Sequence, residues 1–313
     1  SYRFTVLISE CDLDCCIRQL QHHGMVKPFP IAQRDHSERF ILPQRLYGRG
    51  ETLSLLFGLY QRAAAGQRQT VLVTGYAGIG KSTLVNEIRD TVLQRKGVMT
   101  SGKFDQFSRR QPYSAIIYAL QSLIRQLLTE TESDIVQWRT RIQDELGDNA
   151  ALMTRLIPEL ELIIGKPASS RQLSKYQEQN LISRMFVRLL EVFSVRERPL
   201  VLFLDDLQWA DLASLNLIET LAGSRALSHL LLVLGYRDRE VGPSHPVEAL
   251  TRQLRRDSDS PTEITLQPLS QREIAELLAD TLHRDSAGMM SLARICLRKT
   301  QGNPFFLRQF LTS

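Results

Sequence analysis

Cysteine is scarce in this sequence. The 313 residues hold four, with Cys11, Cys15 and Cys16 crowded near the start and Cys296 far away. There is no Cys-x-x-Cys pair, so a secreted disulfide framework does not fit. Reduced thiols are expected, and with them a cytoplasmic protein. His22 and His23 follow the cluster, but packed or half-exposed thiols are a plainer reading than a metal site. No apolar run approaches the length of a membrane span. The opening Ser1-Tyr2-Arg3-Phe4 has neither an initiator Met nor a signal-peptide pattern, which suggests a piece of a longer chain. Large blocks of one charge sign are missing too. Net charge is +5, and stretches such as Arg252, Arg255, Arg256, Asp257 and Asp259 interleave the signs. Interleaving describes a solvated face and argues against a nucleic-acid groove. Most of the surplus lies beyond Arg284, in Arg284, Arg294, Arg298, Lys299 and Arg308 against Asp285.

What is present is an ordinary globular composition, 43% hydrophobic and 23% charged. At roughly 150 residues per domain the length suggests about two domains. Residues 1–45 form a segment apart: Asp12 to Gln21 reads as a short helix, and Pro28 and Pro30 enforce extended backbone after it. From Leu46 to about Leu266, strands and helices alternate, the pattern of a parallel sheet with crossover helices. The strand candidates are Thr70–Thr74, Val98–Phe104, Leu200–Leu204, Leu230–Tyr236 and Glu263–Leu266. A helix is expected over Lys81–Val92. Between the second and third strands, Ile116, Leu120, Leu123 and Leu127 share one helical face, and further helices are expected over Ile135–Leu146 and Tyr176–Phe193. Ser270-Gln271-Arg272-Glu273 is a capping box that opens a final helical stretch.

Three motifs carry chemistry. Gly75-Tyr76-Ala77-Gly78-Ile79-Gly80-Lys81-Ser82 matches G-x-x-x-x-G-K-[ST], with a strand before it and a helix after it. Phosphates need converging donors without side-chain obstruction, and glycines let successive N–H groups turn inward. Lys81 can then reach the β- and γ-phosphates and Ser82 can ligate Mg²⁺, with Thr83 beside it. Second, the apolar run Leu200-Val201-Leu202-Phe203-Leu204 ends in Asp205-Asp206, which places carboxylates at the C-terminal edge of a buried strand, where α/β sheets bind ligands. Asp205 is the candidate magnesium residue, and Asp206 the candidate for polarising an attacking water. Third, Arg237 ends the run Leu232-Val233-Leu234-Gly235-Tyr236, where an arginine can sense a γ-phosphate. His283-Arg284-Asp285 spells H-R-D, but Met290 stands where a kinase catalytic loop has Asn, and neither a D-F-G nor the guanine-specific N-K-x-D is present.

Taken with Asp205-Asp206-Leu207-Gln208-Trp209-Ala210-Asp211 and Gly302-Asn303-Pro304-Phe305-Phe306, the P-loop resembles signal-transduction ATPases with numerous domains, the STAND class of AAA-like ATPases. Tyr47-Gly48-Arg49-Gly50-Glu51 is similar to the Gly-Arg-Glu element of that class, with Gly50 interrupting it. Ser101-Gly102-Lys103-Phe104-Asp105-Gln106-Phe107, Pro158-Glu159-Leu160-Glu161-Leu162 and Phe40 to Arg49 resemble the ATPase module of large bacterial kinases.

The resemblance implies an α/β fold of the P-loop NTPase type. Its parallel sheet, flanked by helices, would span residues 46–267, and a small all-helical lid would span residues 268–313, cut short at its end. Residues 1–45 would be the tail of a preceding kinase domain. It further implies ATP/ADP and Mg²⁺ as cofactors, Arg49 and Pro304 beside the adenine and ribose, and slow ATP hydrolysis serving regulation. The implied partners are kinase, sensory and histidine kinase domains of the same polypeptide and other signalling proteins, with a nucleotide-dependent oligomer. A non-hydrolysing nucleotide scaffold and a DNA-associated ATPase are the alternative functions.

Overall fold

The computed structural model describes residues 19, 42–43, 45–106, 111–167, 175–256 and 259–312. Of the expected helix at Asp12–Gln21 only Gln19 is described, and it is helical; the Cys11–Cys16 cluster, His22, His23 and Pro28–Pro30 lie outside the described residues.

Five strands form the sheet: β1 (Gln69–Thr74), β2 (Val98–Lys103), β3 (Leu200–Asp205), β4 (Leu230–Tyr236) and β5 (Thr262–Thr265). All pairings are parallel, in the order β2-β3-β4-β1-β5. Because strand side chains alternate, one apolar run feeds two cores. Leu200, Leu202 and Leu204 join Leu230, Leu232 and Leu234 in one cluster. Val201 and Phe203 join Leu231 and Val233 in the cluster on the other face. That two-sided burial is why β3 and β4 read as continuous hydrophobic runs.

Helix α1 (Gly50–Ala64) and the pair α2 (Lys81–Glu87) and α3 (Arg89–Gln94) cover the second face. The helix expected over Lys81–Val92 is thus two segments meeting at Ile88, whose ψ of −7° is one step out of α geometry. Between β2 and β3 lie α4 (Ser114–Leu127), α5 (Glu132–Leu146), α6 (Ala150–Leu156), α7 (Leu160–Ile164) and α8 (Lys175–Phe193). Their apolar faces extend the first cluster through Leu120, Ile142 and Phe186. Helices α9 (Leu212–Gly223) and α10 (Pro246–Arg256) complete that layer.

Three last helices, α11 (Gln271–Leu282), α12 (Ser286–Thr300) and α13 (Pro304–Thr312), pack around their own cluster of Ile274, Leu278, Ala293, Cys296 and Leu307, which Tyr47 joins from before α1. The capping box of Ser270 and Glu273 opens α11. Among the described residues, no helix is long and apolar enough to cross a membrane.

Candidate nucleotide site

The C-terminal edges of β1 and β3 bring the motifs together with only β4 between them. Leaving β1, Gly75 has φ +144°, and a Cβ there would meet Ile79 and the Leu266 carbonyl oxygen at 3.0 and 3.1 Å. Gly80, at φ +97°, caps α2 in a left-handed conformation that glycine adopts freely. The curled loop buries Lys81, whose Nζ donates to the Gly75 and Tyr76 carbonyls at 2.9 and 3.4 Å. Burial pushes the Lys81 ammonium below its usual pKa, while the nearby Asp205 and Asp206 oppose the shift. One residue on, the Ser82 hydroxyl donates to Asp205 Oδ2 at 2.5 Å. The two predicted metal-binding groups therefore stand side by side, 123 positions apart in sequence.

Asp206 follows with φ 56° and ψ 45°, a left-handed conformation that costs a non-glycine residue energy. Its carboxylate is buried and closely held. Oδ1 accepts from Gln208 Nε2 at 2.9 Å and pairs with Arg237 Nε at 3.2 Å, and Oδ2 pairs with Lys103 Nζ at 3.1 Å. Burial alone would raise the carboxyl pKa, but the hydrogen bonds from Gln208 and Lys103 and the charges of Lys103 and Arg237 outweigh it, leaving it below the usual carboxylate range. Arg237 is anchored in turn by Glu240 at 2.7 Å. A Cβ on Gly235 would stand 2.7 Å from Asp205 Oδ1, so glycine inside this strand makes room for the carboxylate.

The facing wall comes from the C-terminal helices and from the segment before α1. Asn303 Nδ2 donates to the Ala77 carbonyl at 2.8 Å, and the Phe305 amide to the Gly78 carbonyl at 3.3 Å. The start of α13 thus sits on the back of the P-loop. Gly78, at φ +74°, is required by that approach, since a Cβ would meet Phe305 Cβ at 2.8 Å. Arg49 is buried and donates to the Gln267 carbonyl at 2.6 Å. Desolvation lowers its pKa, and Glu273 partly opposes this. Tyr47 donates to Asp280 Oδ2 at 2.7 Å, tying the same segment to α11.

Between the two walls lies a cavity of about 430 Å³, within the range of small-molecule sites. Gly78, Ile79, Gly80, Lys81, Ser82, Thr83, Asp205, Asp206, Arg237, Arg49 and Pro304 all line it. Gly75, Tyr76 and Ala77 do not. Gly75 packs under Leu266, Tyr76 lies 3.9 Å beneath the Arg239 guanidinium, and Ala77 holds Asn303. No cluster of three or more His, Cys, Asp or Glu among the described residues is placed to hold a metal.

The model of the AAA ATPase domain matches residues 45–233, well over half of the chain. The chain belongs to that family. This AAA ATPase domain is 34% identical over 199 residues to the hybrid signal transduction histidine kinase G of Dictyostelium discoideum, covering 64% of the chain and 6% of that protein. It is 29% identical over 266 residues to the peroxide stress-activated histidine kinase mak2 of Schizosaccharomyces pombe, covering 78% of the chain and 11% of that protein. The chain therefore spans about a tenth or less of these relatives. A STAND protein with a tetratricopeptide repeat sensor from Pyrococcus horikoshii overlays with a TM-score of 0.42 at 14% identity, over 89% of the chain and 32% of that structure.

Four residues of this AAA ATPase domain escape a motif reading: Lys103, Gln208, Gly235 and Asn303. Each stands in a stretch that the sequence already marks. Their partners, Asp206 for Lys103 and Ala77 for Asn303, are too distant in sequence for spacing to reveal.

Proposed function

We propose that this domain is an ATP-binding, slowly hydrolysing switch of a multidomain signalling kinase, bacterial or eukaryotic. The observation that carries the reading is the cavity itself: P-loop, paired acids and a cation face a separate helical wall across it. In this reading Lys81 exchanges its loop carbonyls for the β- and γ-phosphates, and Arg237 reaches the γ-phosphate. Arg49 and Pro304 lie on the base and ribose side. The adjacent oxygens of Ser82 and Asp205 suit Mg²⁺, a hard cation bound through few protein ligands plus phosphates. Bound there, it would neutralise charge on the phosphates. Asp206 would order the attacking water.

The C-terminal helices act as a lid. Their hold on the P-loop consists of a few hydrogen bonds to its backbone, so a change of loop conformation at the phosphates alters the lid's footing directly. Domains joined to this one in the same polypeptide would read the lid position, in the cytoplasm and with nucleotide-dependent association of copies. A second reading, a scaffold that holds nucleotide without turnover, draws support from the fully engaged Asp206 carboxylate.

Titration with labelled ATP and Mg²⁺ tests the shared premise: Lys81→Ala is expected to weaken binding on the order of a hundredfold, and normal binding by that variant would remove the P-loop reading. Single-turnover hydrolysis by wild type and Asp206→Asn then separates switch from scaffold. A rate that falls in the variant supports the switch, and no turnover in either supports the scaffold.

A further inference from the structure

Tyr76, the second residue of the P-loop, does not line the cavity. Its half-buried ring lies under the exposed Arg239 guanidinium, whose carbon is 3.9 Å from the ring centroid. Arg239 Nη2 also donates to the Tyr76 hydroxyl at 3.0 Å. A cation on the ring face and a hydrogen bond at the ring tip thus join two loops 163 positions apart. Those loops leave β1 and β4, which are neighbours in the sheet.

Arg239 belongs to the short 3₁₀ turn Asp238–Glu240, which Arg237 opens. The Glu240 amide donates to the Arg237 carbonyl at 3.1 Å, and its carboxylate pairs with the Arg237 guanidinium at 2.7 Å. A move of Arg237 from Glu240 to a γ-phosphate therefore removes a brace of the turn that carries Arg239. On the other side of the contact, three successive P-loop residues are gripped from outside. Arg239 holds Tyr76, Asn303 holds the Ala77 carbonyl at 2.8 Å, and the Phe305 amide holds the Gly78 carbonyl at 3.3 Å. Within the loop, the Tyr76 carbonyl accepts from the Ile79 amide at 3.3 Å and from Lys81 Nζ at 3.4 Å. A displaced Tyr76 disturbs the loop on which α13 stands.

ATP and ADP both fill a P-loop, so the loop's own phosphate contacts distinguish them poorly. The γ-phosphate is the difference, and in the ATPase reading Arg237 meets it. Coupling of separate sites can run through a contiguous set of contacts with two arrangements. Arg237, Arg239, Tyr76, Ala77 and Asn303 form such a set, from the γ-phosphate position to the lid.

We propose that the Arg239–Tyr76 contact carries the presence of the γ-phosphate from Arg237 to the P-loop and on to α13. Arg239 is then a positioning residue, acting on the lid through Tyr76. The proposal rests on the switch reading above and names the link inside it. An arginine that only braced the loop would alter the lid equally with either nucleotide.

The test measures amide exchange at Phe305 and Phe306 in wild type, Arg239→Ala and Arg239→Lys, each saturated with Mg²⁺-ATP and then with Mg²⁺-ADP. The wild type is expected to differ about ten-fold between the nucleotides. In Arg239→Ala the difference is expected to shrink to about two-fold, because an exposed cation–π contact is worth up to about five-fold. Both nucleotides should still bind, and β4 amides should keep their protection. Arg239→Lys keeps a cation for the ring and is expected to fall between the two. An undiminished difference in Arg239→Ala overturns the proposal. So does an equal change with both nucleotides, or loss of nucleotide binding in that variant, which would place Arg239 in the binding site itself. Failure of the underlying reading is distinguishable: the wild type itself shows no difference between the nucleotides, or Lys81→Ala binds ATP normally.

Discussion

The two walls of the cavity are built from different physics. On the sheet side, β3 and β4 are buried along their whole length and feed clusters on both faces. On the helical side, the cluster around Leu278, Cys296 and Leu307 is small, and Phe306 and Ile295 remain 54% and 52% exposed. Contact between the walls runs through individual polar bonds, Asn303 to Ala77, Phe305 to Gly78, and Arg49 to Gln267. Apolar burial accumulates with area, whereas a single hydrogen bond contributes only about 1 kcal/mol net. In the proposed reading the sheet wall is therefore the fixed reference, and the helical wall is expected to part from it without unfolding the core.

Substitutions sharpen that contrast. Leu232→Ala empties a fully buried position on β4 and is expected to lower global stability by about 3 kcal/mol. Urea unfolding checks this: the midpoint should fall for every probe together. Lys81→Ala should weaken ATP binding on the order of a hundredfold, about 2.7 kcal/mol, by equilibrium titration, with unfolding little changed. Gly78→Ala forces a side chain into φ +74° against Phe305, at a cost of about 2 kcal/mol. Hydrogen exchange should accelerate in α13 while β4 amides keep their protection. Asn303→Ala removes the bond to Ala77 and the acceptor for the Phe305 and Phe306 amides. It should release the same helix by about 1 kcal/mol. Equal acceleration in β4 for either of the last two variants would show that the walls unfold as one.

How far each wall could be read from the sequence follows the same division. The strand at Leu230–Tyr236 matches its expected span because a seven-residue apolar run has one way to be buried on both faces. The P-loop pattern and Asp205 stand out in the sequence because such a loop and such a strand end demand particular residues at fixed spacing, and the structure brings Ser82 and Asp205 within hydrogen-bond distance. The capping box at Ser270 and Glu273 was legible for the same local reason. The short helices α6 and α7 were not, since each is under eight residues and packs only through its neighbours. The break at Ile88 carries no glycine or proline to announce it. Lys103 and Asn303 stood in plain view, but their roles depend on the tertiary approach of distant segments. Gly78 lines the cavity with the rest of the loop, and its missing Cβ also makes room for Phe305 at the start of α13, a need that the motif does not reveal.

The central claim is that nucleotide at the P-loop sets the footing of the lid. Amide exchange at Phe305 and Phe306, measured with Mg²⁺-ATP and then with Mg²⁺-ADP, tests it most directly, with β3 and β4 amides as the internal reference. The account predicts protection at Phe305 and Phe306 that differs at least about ten-fold between the two nucleotides, while the strand amides stay constant. Identical protection at Phe305 and Phe306 with both nucleotides, each shown to be bound, would contradict it.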